Sequence, residues 1–353
     1  MKIKVAILDK DINYINRMAA AFSIKYSDKM EIYSFTEYEG VIKVLEDNKI
    51  DVLVASDEFD INEKELPRKC GFAYFVEVNN VESVKGQAAI FKFQKADLIY
   101  KQILSLYSEK ASDISGIRLG DDNCKTVAFI SPAGGTGAST MAAAYATACS
   151  KMKKKALYLN FETLGSSDIF FHAEGQFDMS DIIYALNSKK TNISLKIESC
   201  VKQDAEGVYF FSRPKTALDI MEMNADEKLH LLSELQLAGT YDYIIIDMEF
   251  GLGKENLEIL SHMHSIVLVS DGTEISNTKT LRAWEALNIL EQSMDVSITG
   301  RIAVIYNKFS NKSGTVIENE QLKGLSGAPR FEHATAKQIV SQISTMNMFE
   351  KLL

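Results

Sequence analysis

The chain has 353 residues, 46% hydrophobic and 25% charged, which is enough for two ordinary globular domains and fits neither a disordered nor a fibrous protein. A net charge of -9 argues against broad nucleic-acid binding, which needs basic surface to neutralise phosphates. No apolar run reaches the length of a membrane span, Asp9 and Asp11 break the N-terminal apolar segment before it can act as a signal peptide, and Cys70, Cys124, Cys149 and Cys200 are too widely spaced for a metal or redox pair, so the expectation is a reduced, cytoplasmic protein.

From the N-terminus, strand and helix patterns alternate. Ile3 to Leu8 reads as a buried strand, Ile12 to Tyr26 as a helix with apolar residues at helical spacing, Glu31 to Phe35 as a strand and Tyr38 to Asn48 as a helix. Val52 to Ala55, Phe72 to Val78 and Ala89 to Phe93 add three strands, and Ala96 to Tyr107 a closing helix. Five parallel-type strands alternating with helices predict a doubly wound α/β domain over residues 1–110. This segment resembles the flavodoxin-like receiver domain of response regulators. Asp9 and Asp11 fall where receivers keep the acidic pair that holds Mg²⁺, and Lys92 falls where their last-strand lysine lies. Ser56 takes the place of the phosphoacceptor aspartate, and Asp57 comes one residue late, where a strand side chain points to a different face. Phe93 replaces the usual proline after the lysine. The expectation is a receiver-like module without aspartyl phosphorylation.

Residues 111–123 carry Ser, Asp and Gly with little apolar pattern and read as a linker to a second domain over 124–353. That domain opens with an apolar strand, Val127 to Ile130, running into Gly134, Gly135 and Gly137, then Ser139, Thr140 and a helix of small residues, Met141 to Cys149. This is the layout of a phosphate-binding loop, in which glycines let backbone N–H groups curl around an anion and the helix N-terminus adds partial positive charge. A lysine normally precedes the hydroxyl residue and touches the β- and γ-phosphates; Ala138 holds that place. The basic cluster Lys151 to Lys155 falls at the predicted end of the helix, where cations complement the dipole. Further strands are expected at Ala156 to Phe161, Gly207 to Phe211, Tyr243 to Asp247, Ser265 to Val269 and Gly300 to Tyr306, with helices between them, including Asp226 to Ala238 and Thr278 to Gln292.

Tyr243 to Asp247 is an apolar strand ending in a carboxylate, where Mg²⁺ and its waters can offset the cost of burying the charge. Gly251 and Gly253 follow, as a mobile switch segment requires. Another strand ends in Asn160-Phe161-Glu162. His262 and His264 flank Met263, with no third metal ligand nearby in sequence, and are read as structural.

Ala133-Gly-Gly-Thr-Gly-Ala-Ser-Thr140 resembles the deviant Walker A loop of ParA/MinD-type ATPases, Lys-Gly-Gly-x-Gly-Lys-Thr-Thr, with both lysines replaced by alanine. The resemblance implies a P-loop NTPase fold that binds ATP and Mg²⁺ through Gly134, Gly135, Thr136, Gly137, Ala138, Ser139 and Thr140, with Ser139 and Asp247 at the metal. It gives Glu162 the place of the acid that orients the attacking water, and Asn307 and Lys308, with Pro329 after Ala328, the base-binding element. Gly207 to Pro214 matches the strand and loop before a dimer-contacting helix. A receiver-like domain joined to a lysine-poor ParA/MinD module resembles the TadZ/CpaE family of pilus-assembly proteins over nearly the whole chain. That family implies a homodimer that helps to place the tight-adherence (Flp) pilus machinery, through partners at the inner face of the membrane or a cell pole. The loss of Ala133's lysine counterpart, which family members donate across the dimer, implies slow hydrolysis or none. The alternatives are a working ATPase in which Arg213, Lys215 or Lys254 substitutes, and a phosphorelay regulator, which Ser56 disfavours.

Overall fold

The computed structural model describes residues 2–48, 50–111, 124–165, 167–188, 191–294 and 297–352. Beyond Ala111, the linker expected at 111–123 lies outside the described residues. The chain forms two compact units, Met1–Gly116 with Tyr184–Cys200, and Ile117–Ile183 with Val201–Leu353.

The first unit contains β1 (Ile3–Leu8), α1 (Ile12–Lys25), β2 (Met30–Phe35), α2 (Tyr38–Asn48), β3 (Val52–Ser56), β4 (Gly71–Val76), β5 (Ser83–Val84), β6 (Gln87–Phe91) and α3 (Ala96–Lys110). The sheet order is β2-β1-β3-β4-β6-β5, parallel except for the short β5–β6 ladder. Strands β3 and β4 are buried throughout, because helices cover both faces of a parallel sheet and alternate residues must be apolar on each. Val5, Ile7, Val52, Val54, Ala73 and Phe75 face one core with α1 and α3, while Ala6, Leu8, Leu53, Ala55, Phe72 and Tyr74 face the other with α2. The expected doubly wound domain is present, with β5 as an unforeseen edge.

The second unit continues with β7 (Lys125–Ile130), α4 (Ala138–Lys151), β8 (Ala156–Asn160), α5 (Met179–Asn187), α6 (Ile193–Cys200), β9 (Lys202–Gln203), β10 (Tyr209–Phe210), α7 (Ala217–Glu222), α8 (Ala225–Leu237), β11 (Tyr243–Asp247), α9 (Lys254–Ser261), β12 (Ser265–Ser270), α10 (Glu274–Met294), β13 (Ile302–Phe309), β14 (Lys323–Pro329) and α11 (Ala336–Ile343). Among these, the segment from Tyr184 through α6 belongs to the first unit. There Lys196 Nζ donates to Ser105 Oγ of α3 (2.8 Å) and the Tyr100 hydroxyl to Glu198 Oε1 (2.9 Å).

The second sheet runs β14-β13-β12-β7-β11-β8-β10-β9 and is parallel except for β9. Its order places β7 between β11 and β12, so the carboxyl ends of β7 and β11 lie side by side, the crevice where open α/β sheets bind ligands. Asp247 pairs in register with Phe129 on one side and Asn160 on the other. Helix α4 is buried from Met141 to Cys149, and its run of alanines lets it lie close over β7, β8 and β11.

Candidate nucleotide site

The loop between β7 and α4 is held by its own side chains. The Ser131 hydroxyl lies 2.7 Å from both the Ala133 and Val269 carbonyls and accepts a hydrogen bond from Thr136 Oγ1 (2.9 Å). Thr136 is thus a buried strut of the loop. Gly135 and Gly137 have φ of 79° and 88°, in the left-handed region that glycine enters without strain. At Gly137 a Cβ would also stand 2.4 Å from Asn307 Nδ2. Gly137 caps α4, whose first-turn N–H groups, at Ala138, Ser139 and Thr140, lack intrahelical acceptors and could take an anion.

Asp247 is fully buried at the tip of β11. Its Oδ2 accepts from the Tyr158 hydroxyl (2.5 Å) and Asn160 Nδ2 (3.2 Å), while Oδ1 is buried without a hydrogen-bond partner. Burial, with the negative charge of Glu162 nearby, pushes the Asp247 carboxyl up to about 8, and the hydrogen bond from Tyr158 opposes the shift only in part. Glu162 is raised as well, first by burial, although the Ser139 hydroxyl donates to its Oε2 at 3.1 Å. The backbone N–H of Glu162 is anchored on Asn160 Oδ1 (2.9 Å). Ser139, Glu162, Asp247 and Asn160 therefore come together at the mouth of the loop.

This donor set suits Mg²⁺. It is made of hard oxygen atoms, and the orphaned Oδ1 of a buried carboxylate is a polar atom that a cation or its bound water would satisfy. Ser139 and Asp247 are the residues that would hold the ion. Among the described residues, no group of three His, Cys, Asp or Glu side chains forms a metal cluster independent of a ligand. His264 Nδ1 is engaged by Thr126 (Oγ1 at 2.8 Å) and His262 Nδ1 lies 2.9 Å from the Glu258 carbonyl.

Asn307, buried on β13, donates from Nδ2 to the Thr136 carbonyl (2.8 Å), and Lys308 Nζ donates to the Gly135 carbonyl (2.7 Å). Pro329 lies exposed at the end of the edge strand β14, opposite Phe309, while Ala328 packs in the core. Gly253 caps α9 and Gly251 makes room for Asn256. Arg213, itself exposed, lines a narrow cleft with Asn160, Glu162 and Gly165, and Lys215 and Lys254 are exposed too. Sequence reasoning missed Tyr158 and Glu249. Tyr158 shares a strand face with Asn160, and that two-residue spacing was the available signal. Glu249 accepts from the Thr163 N–H (3.0 Å) and hydroxyl (3.2 Å), joining the segments that follow β11 and β8.

In the first unit, Asp9 is buried in an ion pair with Lys92 (2.9 Å), which also reaches Glu77 (3.3 Å) and lies over the Tyr14 ring. Burial opposes the Lys92 charge, but Asp9 and Glu77 outweigh it and hold the ammonium above the ordinary lysine value. Asp11 caps α1 instead, accepting from the N–H groups of Asn13 and Tyr14. Ser56 is buried at the end of β3 and Asp57 is exposed beyond it.

Residues 1–108 match the family model described as the TadZ-like receiver domain. The match takes in most of the first unit and about a third of the chain. Behind it, the chain is similar in fold to the ParA family ATPase from Chlorobium tepidum, at 21% identity over 64% of this chain and 95% of that one, with a TM-score of 0.50. MinD of Aquifex aeolicus in its complex with MinC (17% identity, 62% and 93% covered, TM-score 0.47) and MinD of Pyrococcus horikoshii with Mg-ADP (16%, 63% and 94%, 0.47) are also similar. No curated protein matches the chain. A match to a TadZ-like receiver followed by a fold similar to that of a ParA family ATPase is consistent with the resemblance to the TadZ/CpaE family. Among the described residues, no helix is long and apolar enough to cross a membrane.

Proposed function

We propose that this chain is an ATP-binding, Mg²⁺-dependent homodimeric scaffold that places the tight-adherence (Flp) pilus machinery, with slow hydrolysis at best. One observation carries the reading: the glycine frame, the α4 N-terminus and Ser139 stand beside buried Asp247, while Ala133 and Ala138 occupy both lysine places of the resembled loop. Each lost lysine removes charge-assisted hydrogen bonds worth about 1.5–3 kcal/mol. Binding has other contributors, namely the loop amides, the metal and the base contacts. Catalysis is more exposed, because a cation set against the transition state is worth roughly a thousandfold or more.

In this reading Ser139 and Asp247 would hold Mg²⁺, which would supply positive charge to the phosphates, and Glu162 would orient water. Asn307 uses its donor on the loop and keeps Oδ1 to accept from the amine of adenine, with Pro329 at the same end. The protein would act in the cytoplasm, meeting the membrane or a pole through partners, without nucleic acid. Arg213, beside Glu162 in the cleft, favours a second reading as an active ATPase with a substitute cation.

Sedimentation of the full chain tests the scaffold. A dimer in ATP with Mg²⁺ is expected, persisting without turnover. A monomer in both states, at concentrations well above those in cells, would leave only a passive adaptor.

A further inference from the structure

We infer that Lys308 is the cation that serves the phosphate-binding loop in place of the two missing lysines. The inference rests on the nucleotide reading above and assigns Lys308 a role at the polyphosphate, distinct from the base.

Three independent observations meet at this residue. Its ammonium touches the loop itself, 2.7 Å from the Gly135 carbonyl. The backbone of Lys308 has φ of 55°, in the left-handed region, which a long side chain enters only against strain and which recurs at functional sites. Here that turn follows Asn307, whose amide holds Thr136, so two consecutive residues grip consecutive carbonyls of one loop. The third observation is the charge balance. Among the described residues no carboxylate pairs with Lys308, in contrast to the buried Lys92 of the receiver, which faces Asp9 and Glu77. A lysine ammonium has three donors, and the Gly135 carbonyl takes one of them. An exposed, uncompensated cation fixed against a loop built for anions is placed to add to the binding of a polyphosphate.

The other candidate cations lack this geometry. Arg213 sits against Asp168, its Nε 4.0 Å from the carboxylate, and Lys228, lowered by its own burial, is surrounded by Glu249, Glu255 and Glu227. Among the described residues, neither has a hydrogen bond to the loop.

Titration calorimetry on the full chain with Mg²⁺ separates the roles, using ATP, ADP and AMP against the unaltered protein, Lys308→Met and Lys308→Arg. The unaltered protein is expected to bind ATP, Lys308→Met to weaken ATP about tenfold and AMP by less than twofold, and Lys308→Arg to keep most of the affinity. The Lys308→Met penalty should also shrink as salt rises, because an exposed charge is screened. An equal loss for all three nucleotides would make Lys308 a brace of the loop and overturn the inference, as would no loss at all; in both cases the nucleotide reading stands. No binding of any nucleotide by the unaltered chain would remove both. Unchanged melting of Lys308→Met, an exposed substitution, shows that the comparison is made on folded protein.

Discussion

Asp247 concentrates the chemistry of the second unit in one carboxyl group. Burial, with Glu162 close by, raises its pKa to about 8, so the protonated form is favoured in the folded state over a range where the unfolded chain is ionised. The sign follows directly. A group whose folded pKa is raised contributes stability that is fully present below its unfolded value near 4 and is lost as pH rises towards 8. Without metal, the chain should therefore lose stability across that window, and Asp247→Asn should remove the dependence. Melting curves in chelator at pH 5 and pH 8 check this: the variant gains on the unaltered protein by at least a few degrees as pH rises. A constant difference between the two would show that Asp247 does not titrate there.

Among the elements of the first unit, the residues at the receiver's usual acidic positions are engaged elsewhere. Asp9 is consumed by Lys92, Asp11 by the α1 cap, and the end of β3 presents Ser56. Incubation with a small phosphoryl donor and Mg²⁺ should leave the intact mass unchanged. An acid-labile adduct that disappears in Asp57→Asn would place the phosphoacceptor one residue later than the register does. Most elements could be read from the chain because their apolar pattern was strong, as a near-continuous run in β1 and β11 and a helical period in α2. Strand β14 was missed: Lys-Gly-Leu-Ser-Gly-Ala-Pro has no β-branched residue and two glycines, and its partner strand β13 alone defines it. Two-residue strands such as β5 and β9 carry no period at all. In the site, the glycines, Ser139 and Asp247 were legible as residue types at fixed offsets. Tyr158 on Asp247 was not, since an aromatic residue inside a buried strand reads as core, and the contact of Lys308 with Gly135 spans 173 positions of sequence.

For the whole molecule, the association of α6 with the receiver is the feature that chain order hides. A helix encoded within the second domain packs on α3 of the first unit, fixed by Lys196 on Ser105 and by Asn192, whose N–H donates to the Ser108 carbonyl. The two units are therefore interleaved in sequence. In the proposed function the chain holds ATP and barely cleaves it. The direct measurement is the fate of γ-labelled ATP carried by the purified full chain with Mg²⁺, quenched at intervals after free nucleotide is removed. The account predicts close to one intact ATP per chain, converted to ADP far more slowly than the roughly 10 turnovers per second of an ordinary enzyme. Rapid conversion to ADP, or no retained nucleotide at all, would contradict it.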